Sequence, residues 1–364
     1  MIIMDFSKAF DTVPHNRLLN KLNRYGIHNN THTWISNFLK RRKQRVVVGG
    51  EHSTWTNVVS GVPQGTVLGP LLFLTYINDL PDNIHSTVRL FADDCVLYRE
   101  IKNESDSHEL QKDLNRLAQW EHDWQMHFNT QKCFVMRITH ARHVKHYSYT
   151  LGDSTLQETD SHPYLGVCIT KDLTWNKHIH RITASANRTL AFVRRNLHSC
   201  PQNIKTTAYT TLVRPLLEYS SSVWDPHTQV LINKIEMVQR RAARFCHNNY
   251  TSRETGCVSE MIKKLHIELL TTRRINRRLT IFHKAIHSHL SLPVANLLQP
   301  TKRHSRHLNS KAFNTIHASK NCYKFSFFPR TIKDWNSLPD AIVNITEPQQ
   351  FKQALTHLAP NKHD

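Results

Sequence analysis

The sequence predicts an α+β fold in which a small sheet domain precedes two helical regions. Three apolar runs, at residues 1–4, 88–98 and 134–136, have the length of buried strands and alternate with helical patterns. From about residue 172 onward, apolar residues recur at helical spacing instead. We therefore expect an antiparallel sheet with helices on one face, followed by helices alone.

The sheet domain contains the predicted strands and four predicted helices. The strands are expected over residues 1–4, 46–48, 88–98 and 134–136. The helices are expected over residues 14–25, 33–39, 71–80 and 110–124. Pro14 suits the first turn of its helix, and Gly26 suits the end. The strand segment 88–98 predicts a hairpin with Asp93 and Asp94 at its apex.

The helical regions are amphipathic and basic. Apolar stripes run through residues 179–197 and 231–245, with lysines and arginines on the other faces. A further region begins at residue 251, and its first strongly basic helix carries the pairs 273–274 and 277–278. These changes in pattern predict three parts, at residues 1–145, 146–250 and 251–364.

The balance of charge predicts a polyanionic partner. The 364 residues include 48 Lys and Arg against 28 Asp and Glu, a formal charge of +20. Nucleic acid is the favoured partner and an anionic membrane surface the competing one. No apolar run reaches the roughly 20 residues that cross a bilayer, and no signal peptide follows Met1, so we expect an intracellular protein without membrane segments. Seven cysteines without a C-x-x-C pair favour neither disulfides nor a zinc site.

Three carboxylates are the strongest candidates for chemistry: Asp5, Asp93 and Asp94. Nucleotidyl transfer uses two divalent ions about 3.5–4 Å apart, bridged by carboxylates, and Mg²⁺ favours oxygen ligands. A strand ending at Asp5 beside a hairpin carrying the other two supplies such ligands on rigid elements. An isolated acidic pair also occurs by chance in many chains of this length. The residues around the pair therefore decide whether it indicates a metal site.

Those surroundings resemble the motifs of non-LTR (LINE-type) reverse transcriptases. Motifs A, B and C are matched, in order, by DFSKAFD at 5–11, SGVPQGTVLGP at 60–70 and FADD at 91–94. Motifs D and E are similar to NTQK at 129–132 and YLGV at 164–167. Jockey-like elements carry blocks that resemble VRPLLEY at 213–219, VWDP at 223–226 and FFPRTIKDWNSLP at 327–339.

The resemblance implies a polymerase palm at residues 1–145, a primer-grip hairpin and helical thumb at 146–250, and a C-terminal region of unknown role at 251–364. It implies an RNA-directed DNA polymerase that uses an RNA template, a DNA primer, deoxynucleoside triphosphates and two Mg²⁺ ions, with Mn²⁺ as an alternative. Its place of action would be the nucleus. The alternative is a catalytically dead, nucleic-acid-binding remnant.

The resemblance also assigns roles to single residues. Asp5 and Asp93 would bridge the two ions, and Asp94 would contribute more weakly or structurally. Lys132 is either a general acid for the leaving pyrophosphate or a solvated lysine. Phe10 would lie beneath the sugar and exclude a 2′-hydroxyl, unless it is an ordinary core aromatic.

Two loops complete the predicted site. Gln64 and Gly65 lie where a small residue lets the template and nucleotide approach the backbone, although Gly65 also suits a plain turn. A basic run either holds template phosphates or closes a helix as a solvated end. Its members are Lys40, Arg41, Arg42, Lys43 and Arg45.

The chain departs from the family pattern at its start. Only four residues precede motif A, whereas the fingers of the family lie before it. We therefore expect a truncated copy whose metal site is intact and which does not extend primers alone. A metal-dependent nuclease or phosphatase built on the acidic pair would leave motif B unexplained.

Overall fold

The computed structural model describes residues 1–141, 144–291, 294, 297–301 and 308–358. They form two compact units. Unit 1 comprises Met1–Gly166 and Thr170–Asp172, and unit 2 comprises Val167–Ile169 and the described residues from Leu173 onward. None of the described helices is both long and apolar enough to pass through a bilayer. The functional boundaries at residues 145 and 250 stay predictions.

Short strands and five helices make up unit 1 within the described residues. The strands are β1 (Ile2–Met4), β2 (Lys43–Gln44), β3 (Val47–Val48), β4 (Glu51–His52), β5 (Thr56–Asn57), β6 (Thr87–Phe91), β7 (Asp94–Tyr98), β8 (Phe134–Val135), β9 (Thr150–Leu151), β10 (Ser154–Thr155), β11 (Gln157–Glu158) and β12 (Ser161–Tyr164). The helices are α1 (Ala9–Thr12), α2 (His15–Arg24), α3 (Asn29–Leu39), α4 (Leu68–Ile77) and α5 (Glu104–Trp124).

The central sheet of unit 1 has the strand order β11-β8-β1-β7-β6. Neighbouring strands are antiparallel except β11, which runs parallel to β8, so the sheet is mixed and the purely antiparallel prediction is wrong at this edge. The α+β class itself agrees with the structure. Strand β1 lies in the middle because its three residues are all apolar and all buried.

The predicted helices of unit 1 are present with shifted ends. Helix α4 begins at Leu68 rather than residue 71, and α3 begins at Asn29 rather than residue 33. Helix α5 starts in a capping box, in which Asn103 accepts from the Asp106 N–H and the Asp106 carboxylate accepts from the Asn103 N–H. The apolar stripe that predicted α5 is buried in the core of the unit.

Unit 2 is helical. After strand β13 (Val167–Thr170) its helices are α6 (Asn176–Asn196), α7 (Gln202–Ala208), α8 (Ser221–Trp224), α9 (Gln229–Cys246), α10 (Cys257–Lys264), α11 (Leu270–Ile286), α12 (Asn321–Lys324), α13 (Phe327–Asn336), α14 (Asp340–Val343) and α15 (Pro348–His357). The predicted stripes of α6 and α9 form one buried cluster, and α11, α13 and α15 share another.

The basic helix predicted near residue 273 is α11, and two of its arginines are buried. Arg274 and Arg278 are each 1% exposed, and their guanidinium Nε atoms lie 2.8 and 3.0 Å from the two carboxylate oxygens of Asp225. Arg330 adds a third guanidinium 3.3 Å from Asp225. These arginines therefore hold helices together inside unit 2. Trp335, in the block FFPRTIKDWNSLP, lies at the end of α13, where its indole is fully buried.

Candidate active site

Strand pairing brings Asp5 and Asp94 together. Strands β1 and β7 are antiparallel with Met4 opposite Cys95, so the next pair in the same register is Asp5 and Asp94. Asp5 follows the apolar strand directly and its side chain is 25% exposed. Partial burial, followed by the charges of Asp93 and Asp5, raises the pKa of the Asp94 carboxyl above its ordinary value. The carboxylates thus repel one another across neighbouring strands.

Asp93 occupies a different kind of position. Strands β6 and β7 pair up to Phe91 and Asp94, which leaves Ala92 and Asp93 as the two turn residues. Ala92 has a φ of 50°, as the tightest hairpin turns require. The prediction of both acidic residues at the apex is therefore correct for Asp93 only, because Asp94 is already a strand residue.

Lys132 is held beside Asp5 by the backbone. The Asn129 N–H donates to the Asp5 carbonyl at 2.7 Å, and a 3₁₀ turn over Thr130–Lys132 follows. This turn places the Lys132 ammonium 3.1 Å from the Asp5 carboxylate while the lysine side chain remains 66% exposed. A cation and a carboxylate with access to solvent thus stand together at the end of β1.

The donor chemistry of this corner suits a hard divalent cation. Asp5, Asp93 and Asp94 offer only carboxylate oxygens, the atoms that Mg²⁺ prefers. Burial first, and then their mutual repulsion, raises the pKa of Asp94, and a bound cation would relieve that repulsion. Within the described ranges, however, no three His, Cys, Asp or Glu side chains are grouped closely enough to hold a metal ion by themselves.

The Phe10 side chain packs against a neighbouring ring and is also partly exposed to solvent. It lies on the short helix α1, half-buried, and its ring stacks on Phe73 of α4 with centroids 4.5 Å apart. Its carbonyl accepts from the Val62 N–H at 2.7 Å, which fixes α1 against the loop at 60–67. Both interpretations of Phe10, as a core aromatic and as a ring beneath a sugar, remain compatible with this position.

The loop at 60–67 contains two glycines in different surroundings, Gly61 and Gly65. Gly65 is exposed at φ +76°, and a Cβ added there would meet no atom within 4 Å. A Cβ on Gly61 would come within 2.7 Å of the Asp11 backbone, so Gly61 is the tightly packed glycine. Gln64 is exposed and its amide donates to the Asp11 carboxylate at 3.1 Å. The open space at Gly65 leaves room for a ligand.

The basic run follows the end of helix α3 as predicted, because the helix ends at Leu39 and Lys40 is its C-cap. Arg42 turns inward and donates to the carbonyls of Leu39 and Gly61 at 3.0 and 2.9 Å. Arg45 lies over the Trp55 ring, 4.7 Å from its centroid. The other three members, Lys40, Arg41 and Lys43, are exposed.

The carboxylates also act on two residues of strand β12: the sequence interpretation placed Tyr164 in motif E without a role in this site, and it missed His162. Their spacing of two on strand β12 places both on one face of that strand. The charge of Asp94 acts on both, and that of Asp5 acts on His162. Burial nevertheless lowers the pKa of His162 and raises that of Tyr164, so both are held neutral. Alternation along the strand was the signal that could have indicated them.

Comparison with known proteins agrees with this geometry. The reverse transcriptase (RNA-dependent DNA polymerase) family matches residues 1–169. The RNA-directed DNA polymerase from mobile element jockey of Drosophila melanogaster is 27% identical over 66% of the chain. The probable RNA-directed DNA polymerase from transposon X-element of the same fly is 26% identical over 84%. The probable enzyme from its transposon BS is 27% identical over 67%.

The chain spans 27%, 34% and 28% of the lengths of these three relatives. The matched family region contains Asp5, Asp94 and Lys132, the residues that the fold brings together. Residues 1–169 therefore form a reverse transcriptase domain, and the chain is similar over 66–84% of its length to the RNA-directed DNA polymerases of the jockey, X-element and BS retrotransposons.

Proposed function

We propose that the chain carries the polymerase centre of an RNA-directed DNA polymerase. This centre adds deoxynucleotides to the 3′-hydroxyl of a DNA primer paired with an RNA template. The observation that carries the proposal is the meeting of Asp5 and Asp94 on neighbouring strands, with the Lys132 ammonium 3.1 Å from Asp5. Such enzymes act on target DNA, so the proposed location is the nucleus.

The carboxylates would hold two divalent ions, Mg²⁺ or Mn²⁺, with Asp5 and Asp93 in bridging roles and Asp94 beside them. When bound, such ions activate the attacking hydroxyl and stabilise the charge on the leaving pyrophosphate. Lys132 holds a proton on an exposed ammonium and donates it to the leaving pyrophosphate. The neutral His162 and Tyr164 add no charge that would compete with the ions for the carboxylates.

The surroundings of the carboxylates would select and orient the substrates. Phe10 sits beneath the nucleotide sugar, and its ring volume excludes a 2′-hydroxyl. The open space above Gly65, with the amide of Gln64 next to it, admits the template and the nucleotide close to the backbone. Lys40, Arg41, Lys43 and Arg45 neutralise template phosphates, and Arg42 supports them by fixing their segment to the loop.

The larger division of labour is also a proposal. Residues 1–145 serve as the palm, 146–250 as the primer grip and thumb, and 251–364 as a C-terminal region. The thumb assignment rests on exposed arginines of α6 and α9, among them Arg188, Arg195 and Arg240, which are available to a duplex backbone.

A chimera tests the activity. The segment of the jockey polymerase that matches this chain is replaced by the chain itself, and extension of oligo(dT) on poly(rA) is measured with Mg²⁺. We expect extension, and we expect Asp5→Asn and Asp93→Asn each to reduce it roughly a hundredfold or more, because a charged ligand is lost at nearly constant shape. Asp153→Asn, at an exposed turn position, is the matched control and should leave the rate unchanged.

The second candidate is a nucleic-acid-binding protein without catalysis, favoured by the charge of +20 alone. It predicts a chimera that binds the poly(rA)/oligo(dT) hybrid but leaves the primer unextended. Extension that survives Asp93→Asn would instead refute the assignment of the carboxylates.

A further inference from the structure

Unit 2 contains a cavity of about 500 Å³ that the polymerase proposal does not use. Helices α11 and α15 supply most of its lining. Arg277, Thr280 and Lys284 recur at intervals of three and four along α11, so they lie on one face of that helix. Lys352 and Thr356 are four residues apart on α15 and face the same space. The cavity is therefore a groove between two helix faces.

Two polar groups of the groove lack partners inside the protein. Ser221 is 1% exposed, and its Oγ finds no hydrogen bond among the described residues. The buried Nδ2 of Asn276 is likewise without a partner in that part of the chain. Both residues line the groove. A buried hydroxyl and amide are costly to leave unpaired, so a ligand that accepts hydrogen bonds would satisfy them.

The charge of the groove is positive. Its two carboxylates, Glu218 and Glu268, are both engaged by Arg273, which donates to Glu218 in a bidentate pair and lies 3.2 Å from Glu268. Arg277, Lys284 and Lys352 remain, and neither lysine forms an ion pair with any residue that the structure describes. Three cations thus line the groove, and the two polar groups without partners belong to residues of its wall.

We propose that this groove binds a phosphate group of a nucleic-acid backbone. Phosphate oxygens carry the negative charge that the three cations attract, and they accept hydrogen bonds from the Ser221 hydroxyl and the Asn276 amide. None of the described lining residues is aromatic, so the groove offers no ring on which a base could stack. The site thus holds a strand without reading its sequence, and it does so independently of the polymerase centre.

The test uses the full chain and a fluorescein-labelled single strand of 20 deoxynucleotides, with binding followed by anisotropy across a salt series. Lys284→Gln combined with Lys352→Gln removes the two unpaired lysines. We expect weaker binding, and a salt slope shallower by about 1.4, because each phosphate contact on a single strand contributes about 0.7. Lys320→Gln combined with Lys333→Gln, two exposed lysines outside the groove, is the charge-matched control and should retain the wild-type slope.

Three results would overturn the proposal. If the Lys284→Gln and Lys352→Gln variant keeps the wild-type salt slope, the two lysines do not contact the strand. If the control variant loses as much of the slope, binding depends only on the overall charge of the chain. In a parallel arm, inorganic phosphate is titrated while thermal unfolding is followed. The third result is that phosphate stabilises the wild type but not the groove variant while both bind the strand equally well. That result would assign the groove to a free phosphate compound instead. Ser221→Ala, which removes one unpaired donor without changing charge, should weaken strand binding without altering the salt slope.

Discussion

The Lys132 ammonium lies 3.1 Å from the Asp5 carboxylate although the two residues are 127 positions apart in the chain. A backbone hydrogen bond from Asn129 to Asp5 and the 3₁₀ turn after it create this proximity. The pair is exposed on the lysine side, so it contributes little to the stability of the fold. Its position next to the carboxylates is what makes it a candidate for catalysis.

Lys132→Met separates the two interpretations of this lysine. If it is the general acid, single-nucleotide incorporation by the chimera should slow by about 10²–10⁴-fold. The free energy of unfolding should change by less than about 1 kcal/mol, because the ion pair is largely solvated. An unchanged incorporation rate would make Lys132 a solvated lysine only.

Phe10→Val tests the sugar guard in the same chimera. The smaller side chain should shift the preference from deoxynucleotides toward ribonucleotides by roughly tenfold to a hundredfold, measured as the ratio of kcat/KM values. Phe73→Leu disturbs the ring stacked on Phe10 but keeps Phe10 itself, so it controls for packing. If both variants alter the ratio equally, or neither does, Phe10 acts through packing alone.

Gly61→Ala and Gly65→Ala separate steric conflict from backbone strain. Both glycines have positive φ, so each substitution should cost about 1–2 kcal/mol in strain. Only at Gly61 does the new Cβ meet the Asp11 backbone, which should cost a further 1–3 kcal/mol or so. Urea unfolding of both variants measures the difference, and equal destabilisation would contradict the packing described for this loop.

Asp225→Asn should destabilise unit 2 strongly. Asp225 is 6% exposed, and its carboxylate lies within 3.3 Å of three guanidinium groups, those of Arg274, Arg278 and Arg330. Removing its charge leaves buried cations uncompensated, at a cost of about 3–5 kcal/mol. Glu254→Gln, at an exposed carboxylate of the same unit, should change the free energy of unfolding by less than about 0.5 kcal/mol. A loss below 1 kcal/mol or so for Asp225→Asn would show that the cluster is not buried as described.

His178 should make the fold sensitive to acid. Its ring is 1% exposed, its Nδ1 accepts from the Cys168 N–H at 3.2 Å, and burial lowers its pKa from 6.5 to about 4. The unfolded chain therefore binds one more proton between pH 6.5 and about 4, and stability falls as the pH drops through that window.

His178→Asn keeps a hydrogen-bond acceptor near Nδ1 and removes the titration. Between pH 6.5 and 5 the wild type should lose about 1.5 kcal/mol more stability than the variant, since one proton corresponds to about 1.4 kcal/mol per pH unit and the unfolded imidazole is only half protonated at pH 6.5. The measurement is chemical unfolding at several pH values. Parallel pH profiles for the two proteins would mean that His178 is not held neutral in the folded state.

The candidate site was largely predictable because its residues lie in contiguous motifs. DFSKAFD, SGVPQGTVLGP and FADD predict which carboxylates act in the site, and the strand pattern around Asp5 and Asp94 indicates that both lie on a sheet. The position of Lys132 beside Asp5 did not follow from any local pattern. It depends on hydrogen bonds between segments that are far apart in sequence.

By itself the sequence determined the α+β class, the presence of a reverse transcriptase domain, most helix positions and the candidate acidic residues. These properties depend on local periodicity and short motifs, which do not change with the tertiary surroundings of a segment. The tertiary structure alone decided that β11 runs parallel to β8, that Gly61 is tightly packed whereas Gly65 is open, and that Arg274 and Arg278 are buried on Asp225. Whether an arginine on an amphipathic helix faces water or a buried carboxylate depends on a partner dozens of residues away, and local spacing carries no information about that partner.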